Sequence, residues 1–386
     1  MPVVIMSSLS QRGSDYALEA LRLARGEAGG DADGDLYIAL SGAGHRVTVI
    51  ERDPAWSVYG VGIIQQGNVL RAMKQLGLLD DYLSAAVGFD FVAVHAPDGT
   101  MVAKVPSPRL VEDCPANVGI GRRALHKVLA DRAIIAGTDV RLGITADALA
   151  DDGTGVTARF SDGGEGRFDL VVGADGVHSQ TRATLFPDLP AAEYTGQAVW
   201  RYNLPRPADL DSLHVYNGPI GAGLVPISPQ LMYLYLTTPE PGNPRYPREG
   251  LAAAMRTKVP APLKPLAQQI VDDDEVVYRP LEAVMAEGPW HKGRIVLLGD
   301  AVHAATPHLG QGAGMAIEDA IVLAEEIGRH DMPEAAFGAY RERRFERCSH
   351  IVEESLAICR GQLGLSPPVD NAKATAAMFE VTARPI

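Results

Sequence analysis

Cysteine is scarce in this chain: three in 386 residues, at positions 114, 348 and 359. An odd, widely spaced set excludes a disulfide framework, and no Cys/His spacing suggests a metal site, so no metal is expected. An excess of basic residues is missing too. Lysine and arginine number 35 against 48 acidic residues, a formal net charge of −13. Nucleic acid needs a basic surface and is therefore not an expected partner. No apolar run approaches the length of a membrane-spanning helix, and the first residues lack the basic segment and apolar core of a signal peptide. Together these absences predict a reduced, cytoplasmic protein with no stable membrane association. Repeats and low-complexity segments are also missing. What is present is length enough for two domains and a large core.

The most informative stretch runs from Gly293 to Ala320, GRIVLLGDAVHAATPHLGQGAGMAIEDA. Ile295 to Leu298 is a continuous apolar run of the kind buried on both faces of a sheet. It ends in Gly299-Asp300, where a small residue lets a ligand approach the backbone and a carboxylate offers acceptors to hydroxyl groups. Thr306-Pro307, Gly310, Gln311, Gly312 and Gly314 come next, and a helical pattern runs from Met315 to Ile327. Strand, glycine-rich loop and helix N-terminus make a place where free N–H groups favour an electron-rich ligand atom. The glycines alone would suit a connection in any α/β protein; the ordered combination narrows that reading.

Two more apolar strands end in carboxylates. Val47 to Ile50 closes on Glu51, with Arg52 next, and a carboxylate there can accept from both hydroxyls of a ribose. A surface Glu after a strand is the alternative. Leu170 to Gly173 leads into Asp175 and Gly176, with Arg182 beyond. Ahead of Val47, Leu36 to Leu40 with Ser41-Gly42-Ala43-Gly44 predicts a helix ending in a glycine cap. The chain before Leu36 is different. Val3 to Met6 can form a short strand, but Ser7-Ser8-Leu9-Ser10 stands where a Gly-x-Gly-x-x-Gly turn belongs. A helical spacing runs over 16–25. Counted back from Glu51, the phosphate-binding glycines fall near 28–33, where Gly30 fits. Asp31, Asp33 and Asp35 bring negative charge where a pyrophosphate needs N–H donors.

From Gly299-Asp300, Pro307 and the glycines after it, the chain resembles the aromatic-ring flavoprotein monooxygenases, the para-hydroxybenzoate hydroxylase-like group. The resemblance covers roughly residues 36 to 350 and fails before them. It implies an α/β fold: a Rossmann-like FAD-binding domain of the GR2 type with an inserted β-sheet substrate domain. It also implies bound, non-covalent FAD, NAD(P)H as a transient co-substrate and O₂. By that resemblance Glu51 and Arg52 take the adenosine end and Arg122 the phosphate or ribose region. Asp175 and Gly176 lie near FAD in the segment tied to the nicotinamide cofactor. Gly299 and Asp300 take the ribitol; Pro307, Gly310, Gly312 and Ala313 take the flavin ring, and Gly62 belongs to a loop passing it. The chemistry implied is hydroxylation of a small aromatic or N-heteroaromatic compound through a flavin C4a-hydroperoxide. A homodimer is the default expectation.

The expected division is 1–80, 111–186 and 286–330 for the FAD-binding parts, with 1–35 atypical. A hairpin at 81–110 and a β-sheet at 187–285 form the substrate domain, and 331–386 is a C-terminal helix and tail. Phe91 to His95 and Met101 to Val105 read as that hairpin, joined by Pro97-Asp98-Gly99. Asn68 is a candidate N-cap for a helix over 69–76. In the substrate sheet, strand alternation puts Trp200 and Tyr202 on one face and Arg201 on the other. Arg201 facing a pocket would bind a carboxylate or phenolate; a surface ion pair is the alternative. Tyr216, Tyr233 and His303 are further candidates, Tyr216 and His303 with Arg201 for acting on a phenolic hydroxyl. The helix over 334–363, rich in Arg and Glu, reads as solvated on one side, and the tail from Leu365 as loosely attached. Two other readings stay open: a relative that does not hold FAD and is not catalytic, motivated by the N-terminal segment, and a reductase or halogenase of the same fold.

Overall fold

A computed structural model of the chain describes residues 1–7, 38–41 and 43–386. The region around Gly30, the spacing over 16–25, and Gly42 lie outside those residues.

Val3, Val4 and Ile5 have no solvent-exposed area, as expected for β-branched and apolar residues with neighbours on both faces. They belong to the Pro2–Ser7 strand, which lies inside a six-stranded sheet. It pairs in parallel with Arg46–Glu51 on one side and Leu170–Ala174 on the other. Ile295–Leu297 extends the parallel set next to Leu170–Ala174, and Asp139–Leu142 next to Arg46–Glu51. Val3 to Met6 is thus the first strand of a doubly wound sheet, although serines and no glycine turn come directly after it in the chain. The helical residues 38–41 end as expected: Gly44 takes φ +85°, and the His45 N–H reaches the Leu40 carbonyl at 3.0 Å.

A seven-stranded sheet forms the second layer, in the order Val277–Ala283, Glu193–Pro205, Leu231–Pro239, Gly221–Pro226, Leu213–Tyr216, Phe91–His95, Met101–Pro106. The early hairpin joins it because Phe91–His95 pairs in parallel with Leu213–Tyr216. Trp200 and Tyr202 sit in a core with Met255, Leu263 and Ile270, beneath the short helices after residue 250. Alternation then turns Arg201 the other way.

A smaller sheet of Gly62–Gln66, Asn117–Gly121 and Ala86–Phe89 presses against the end of the second layer. That approach depends on glycine. A Cβ on Gly119 would stand 2.0 Å from the Pro226 carbonyl oxygen, and one on Gly62 would stand 2.3 Å from the Tyr233 ring.

Two expectations fail here. Asn68 does not cap its helix, Gly67–Gln75, which is preceded by Gln66; the Asn68 amide instead donates to Gln311 and Glu318. The tail is not loose. Asn371–Ala383 is a helix capped by the Asp370 side chain, and the carbonyls of residues 382–386 accept from Arg71, Arg343 and Arg347. Apolar residues spread around the helix leave it no one-sided periodicity to read, and its ties are to side chains distant in sequence.

Candidate functional site

A cavity of about 1900 Å³ lies between the carboxyl ends of the parallel strands and the open face of the seven-stranded sheet. Apolar strands here end abruptly in residues that tolerate ligand contact. Gly299 takes φ +62° directly before the Asp300–His303 helix. Gly310 takes φ +65° after Pro307, just ahead of the Gly312–Arg329 helix. The first N–H groups of that helix have no partner within it. A Cβ on Gly312 would meet nothing within 4 Å, so its backbone is open to close approach. No acidic residue sits in the first turn to compete for those donors.

Arg52, Gly62, Arg122, Asp175, Gly176, Gly299, Asp300, Pro307, Gly310, Gly312 and Ala313 all line this cavity, and so do Arg201 and Tyr216. Residues from positions 52 to 313 therefore converge on one space. Asp300 opens into the cavity with protein packed on its other sides. That desolvation pushes its carboxyl above the usual range, with His303 and Arg122 opposing. Asp175 spends part of its acceptor capacity locally, receiving the Thr181 N–H and hydroxyl, both at 2.9 Å. Arg182 is buried and donates to the Ala301 and Val177 carbonyls at 2.7 Å each, tying two strand ends together.

Glu51 ends its strand as expected, but its carboxylate is fully buried and accepts the Asp53 N–H at 2.6 Å. It does not line the cavity, whereas Arg52 does. His303 lies elsewhere as well. Its Nε2 meets the Asp319 carboxylate at 2.5 Å in a site with 1% exposure, so it cannot reach a substrate hydroxyl. Burial alone would lower its pKa; the Cys348 sulfur and the Asp319 carboxylate outweigh that and hold it well above the ordinary value. The reason is geometric: the short Asp300–His303 helix sends position 300 outward and position 303 inward. His303, Asp319 and Cys348 come within 4.8 Å of one another, but Arg344 holds the second Asp319 oxygen at 2.7 Å, so a cation already balances that charge.

Arg201 faces the cavity with no hydrogen-bond or ion-pair partner among the described residues. Desolvation, then repulsion from Arg122, lowers its pKa to about 10, which leaves it cationic near neutral pH. Two guanidinium groups therefore act on one apolar-walled space. Tyr235 stands opposite Arg201 across the strand pair, and Tyr233 lies two residues away on the same face. Sequence reasoning misses Tyr235; the alternation in Met232-Tyr233-Leu234-Tyr235-Leu236 carries the signal for it. Tyr216 stacks on His95 at 4.4 Å between ring centroids, and burial raises its pKa. It is a hydrogen-bond donor near neutral pH and not a base. His308, beside Pro307, bonds Gln362 at 3.1 Å, and burial lowers its pKa to about 4. The Asn371–Ala383 helix adds Thr375 and Phe379 to the wall.

These residues fit the flavin end of a dinucleotide. The cavity exceeds the few hundred Å³ typical of a small-ligand pocket, the helix start at Gly312 is unobstructed, and Asp300 presents a carboxylate for hydroxyl groups.

Comparison with known proteins points the same way. A family model described as "FAD binding domain" matches residues 36–355. The chain is 32% identical over 350 residues to aurachin C monooxygenase/isomerase of Stigmatella aurantiaca, covering 87% of this chain and 88% of the relative. It is 30% identical over 286 residues to 2-heptyl-3-hydroxy-4(1H)-quinolone synthase of Pseudomonas aeruginosa, covering 72% and 73% of the two chains. Its fold is similar to that of Klebsiella pneumoniae HpxO, solved with FAD and uric acid: TM-score 0.79, 22% identity, 99% of this chain and 92% of that one.

Proposed function

The chain belongs to the FAD-binding-domain family of flavoprotein monooxygenases, and from that premise we propose that it hydroxylates a small, anionic aromatic or N-heteroaromatic compound. The balanced reaction takes an aromatic C–H, O₂, NAD(P)H and a proton to an aromatic C–OH, NAD(P)⁺ and water. Bound FAD would supply the electron transfer and oxygen activation.

The protein's own contribution is binding and placement. Asp300 and the Gly310–Ala313 backbone would hold the flavin end, with Arg122 close to both Asp300 and Arg201. Arg201 would receive a carboxylate or ring oxygen of the substrate, a bond strengthened by the charge on both partners. Tyr233, Tyr235 and Tyr216 supply aromatic wall and hydroxyl donors, and the Asn371–Ala383 helix helps keep water out. The observation that carries this reading is the unpartnered Arg201 guanidinium facing the same cavity as Gly299 to Ala313. Quinolone in a relative's name and uric acid in a neighbour's structure support a heteroaromatic ring. Three buried cysteines without disulfides fit a reducing cytoplasmic setting, and a homodimer remains the default assembly.

Titration with FAD, monitored by flavin absorbance, tests the reading. Saturable binding is expected, weakened by Asp300→Ala. Hydroxybenzoates, hydroxypyridine acids and quinolones should then be screened for stimulated NAD(P)H oxidation with hydroxylated product. A colourless protein that ignores added FAD would favour the second reading, a relative that does not hold FAD, which the acidic residues 26–35 motivate. Oxidation giving only peroxide would count against productive hydroxylation.

A further inference from the structure

The loop that would hold the flavin is fastened at both ends to buried charge. Glu318 and Asp319 are neighbours in the Gly312–Arg329 helix, and neither has exposed area. One Asp319 oxygen accepts the Gly299 N–H at 3.1 Å and meets His303 at 2.5 Å. Glu318 accepts the Asn68 amide at 3.3 Å, and that amide also donates to the Gln311 side chain at 3.0 Å. Gln311 stands directly before the helix start at Gly312. The two acids thus hold the Gly299 turn and the Gly310–Gly312 turn separately.

A single guanidinium joins them. Arg344, fully buried on the Pro333–Gln362 helix, donates Nε to Asp319 at 2.7 Å and Nη1 to Glu318 at 2.6 Å. Its remaining nitrogen reaches the Met315 carbonyl at 3.1 Å. Arg347 adds a second cation on Glu318 at 3.0 Å, and Arg71 a third at 3.4 Å.

We propose that Arg344 is a positioning residue for the cofactor loop, setting Gly299–Asp300 through Asp319 and the Gly310–Gly312 turn through Glu318, Asn68 and Gln311. The physical basis is the cost of burying two adjacent carboxylates without a shared counter-charge. With Arg344 absent, one acid takes up a proton or draws in water and its grip on a backbone N–H loosens. Gly299 has no side chain to hold its positive-φ turn; its carbonyl accepts the Val302 and His303 N–H groups, and on its donor side the bond to Asp319 does the holding. Arginine is suited to the role because its planar fork reaches both acids at once, and a lysine ammonium has no such fork. The cofactor part of this inference rests on the proposed function; the loop-positioning part does not.

The test uses the full chain with Arg344→Met, Arg344→Lys and the double change Arg344→Met/Glu318→Gln, which removes one charge of each sign. Amide hydrogen exchange is measured without cofactor, and FAD affinity is measured by flavin fluorescence. Arg344→Met should speed exchange over 299–313 while leaving 193–239 at the parent rate, and weaken FAD by about 10- to 100-fold. Arg344→Lys should fall between that variant and the parent, the partial rescue that a purely volume-filling role would not give. If Arg344→Met does not fold, the lysine and double variants carry the same comparison. Unchanged exchange over 299–313, or an equal rise everywhere, overturns the proposal. A parent that fails to bind FAD while Arg344→Met still loosens 299–313 refutes the cofactor reading and supports the positioning role.

Discussion

Arg201 shows what one side chain can decide in this cavity. Replacing its guanidinium with Gln removes the charge but keeps a polar tip. The loss of a charged hydrogen bond is worth roughly 1.5–3 kcal/mol, so affinity for an anionic aromatic substrate should fall about 10- to 150-fold. FAD affinity should stay at the parent value if Arg201 holds the substrate anion and not the cofactor, as proposed. The affinity of the parent enzyme should also decline as pH rises through about 10, where Arg201 loses its proton; isothermal calorimetry across pH checks both. The orientation of Arg201 could be read from sequence because strand alternation dictates it once Trp200 and Tyr202 are assigned to the core. His303 could not be assigned in the same way. It stands three residues after Asp300, and only the path of the short helix decides which of the two faces the ligand.

At the scale of elements, motif order was readable and long-range polar ties were not. Strand ends at Glu51, Asp175 and Asp300 announce themselves by apolar runs that lead into an acidic residue. Contacts such as Asn68 to Glu318 and Arg344 to Asp319 join residues with ordinary local sequence, so nothing nearby marks them. The Pro333–Gln362 helix illustrates this: its arginines suggest a solvated face, yet Arg344 is fully buried and Arg347 nearly so. Glycine supplies another example, at the meeting of the small sheet and the seven-stranded sheet. Gly119→Ala places a Cβ 2.0 Å from the Pro226 carbonyl oxygen, and backbone cannot rotate away as a side chain can. Overpacking of this kind costs about 1–3 kcal/mol. Thermal unfolding of Gly119→Ala should show a matching drop in midpoint, whereas Gly338→Ala, with nothing within 4 Å, should not lower it.

For the molecule as a whole, buried neutral histidines set an acid limit. His126 and His308 each titrate near pH 4 in the folded protein because burial disfavours the charged ring. Their ordinary value is 6.5, so the unfolded chain takes up these protons first. Stability should therefore fall as pH drops from about 6.5 toward about 4 and be insensitive to these groups above that window. His45, His214 and His291 are displaced the same way. His303 shifts upward, so its contribution is already complete below 6.5 and is lost only at higher pH. Melting temperature recorded against pH should show this slope, flattened in a His126→Phe/His308→Gln double variant.

The central place of Pro2–Ser7 has a consequence for how the protein is made. Its two sheet partners are residues 46–51 and 170–174. At ribosomal speeds the second partner is synthesised roughly 10–30 s after the first strand. Throughout that interval Val3, Val4 and Ile5, wholly buried in the finished sheet, have an unpaired edge, the kind of surface that aggregates. Yield in a cell should then depend on what shields this one short strand during translation, a quantity separate from the stability of the completed fold.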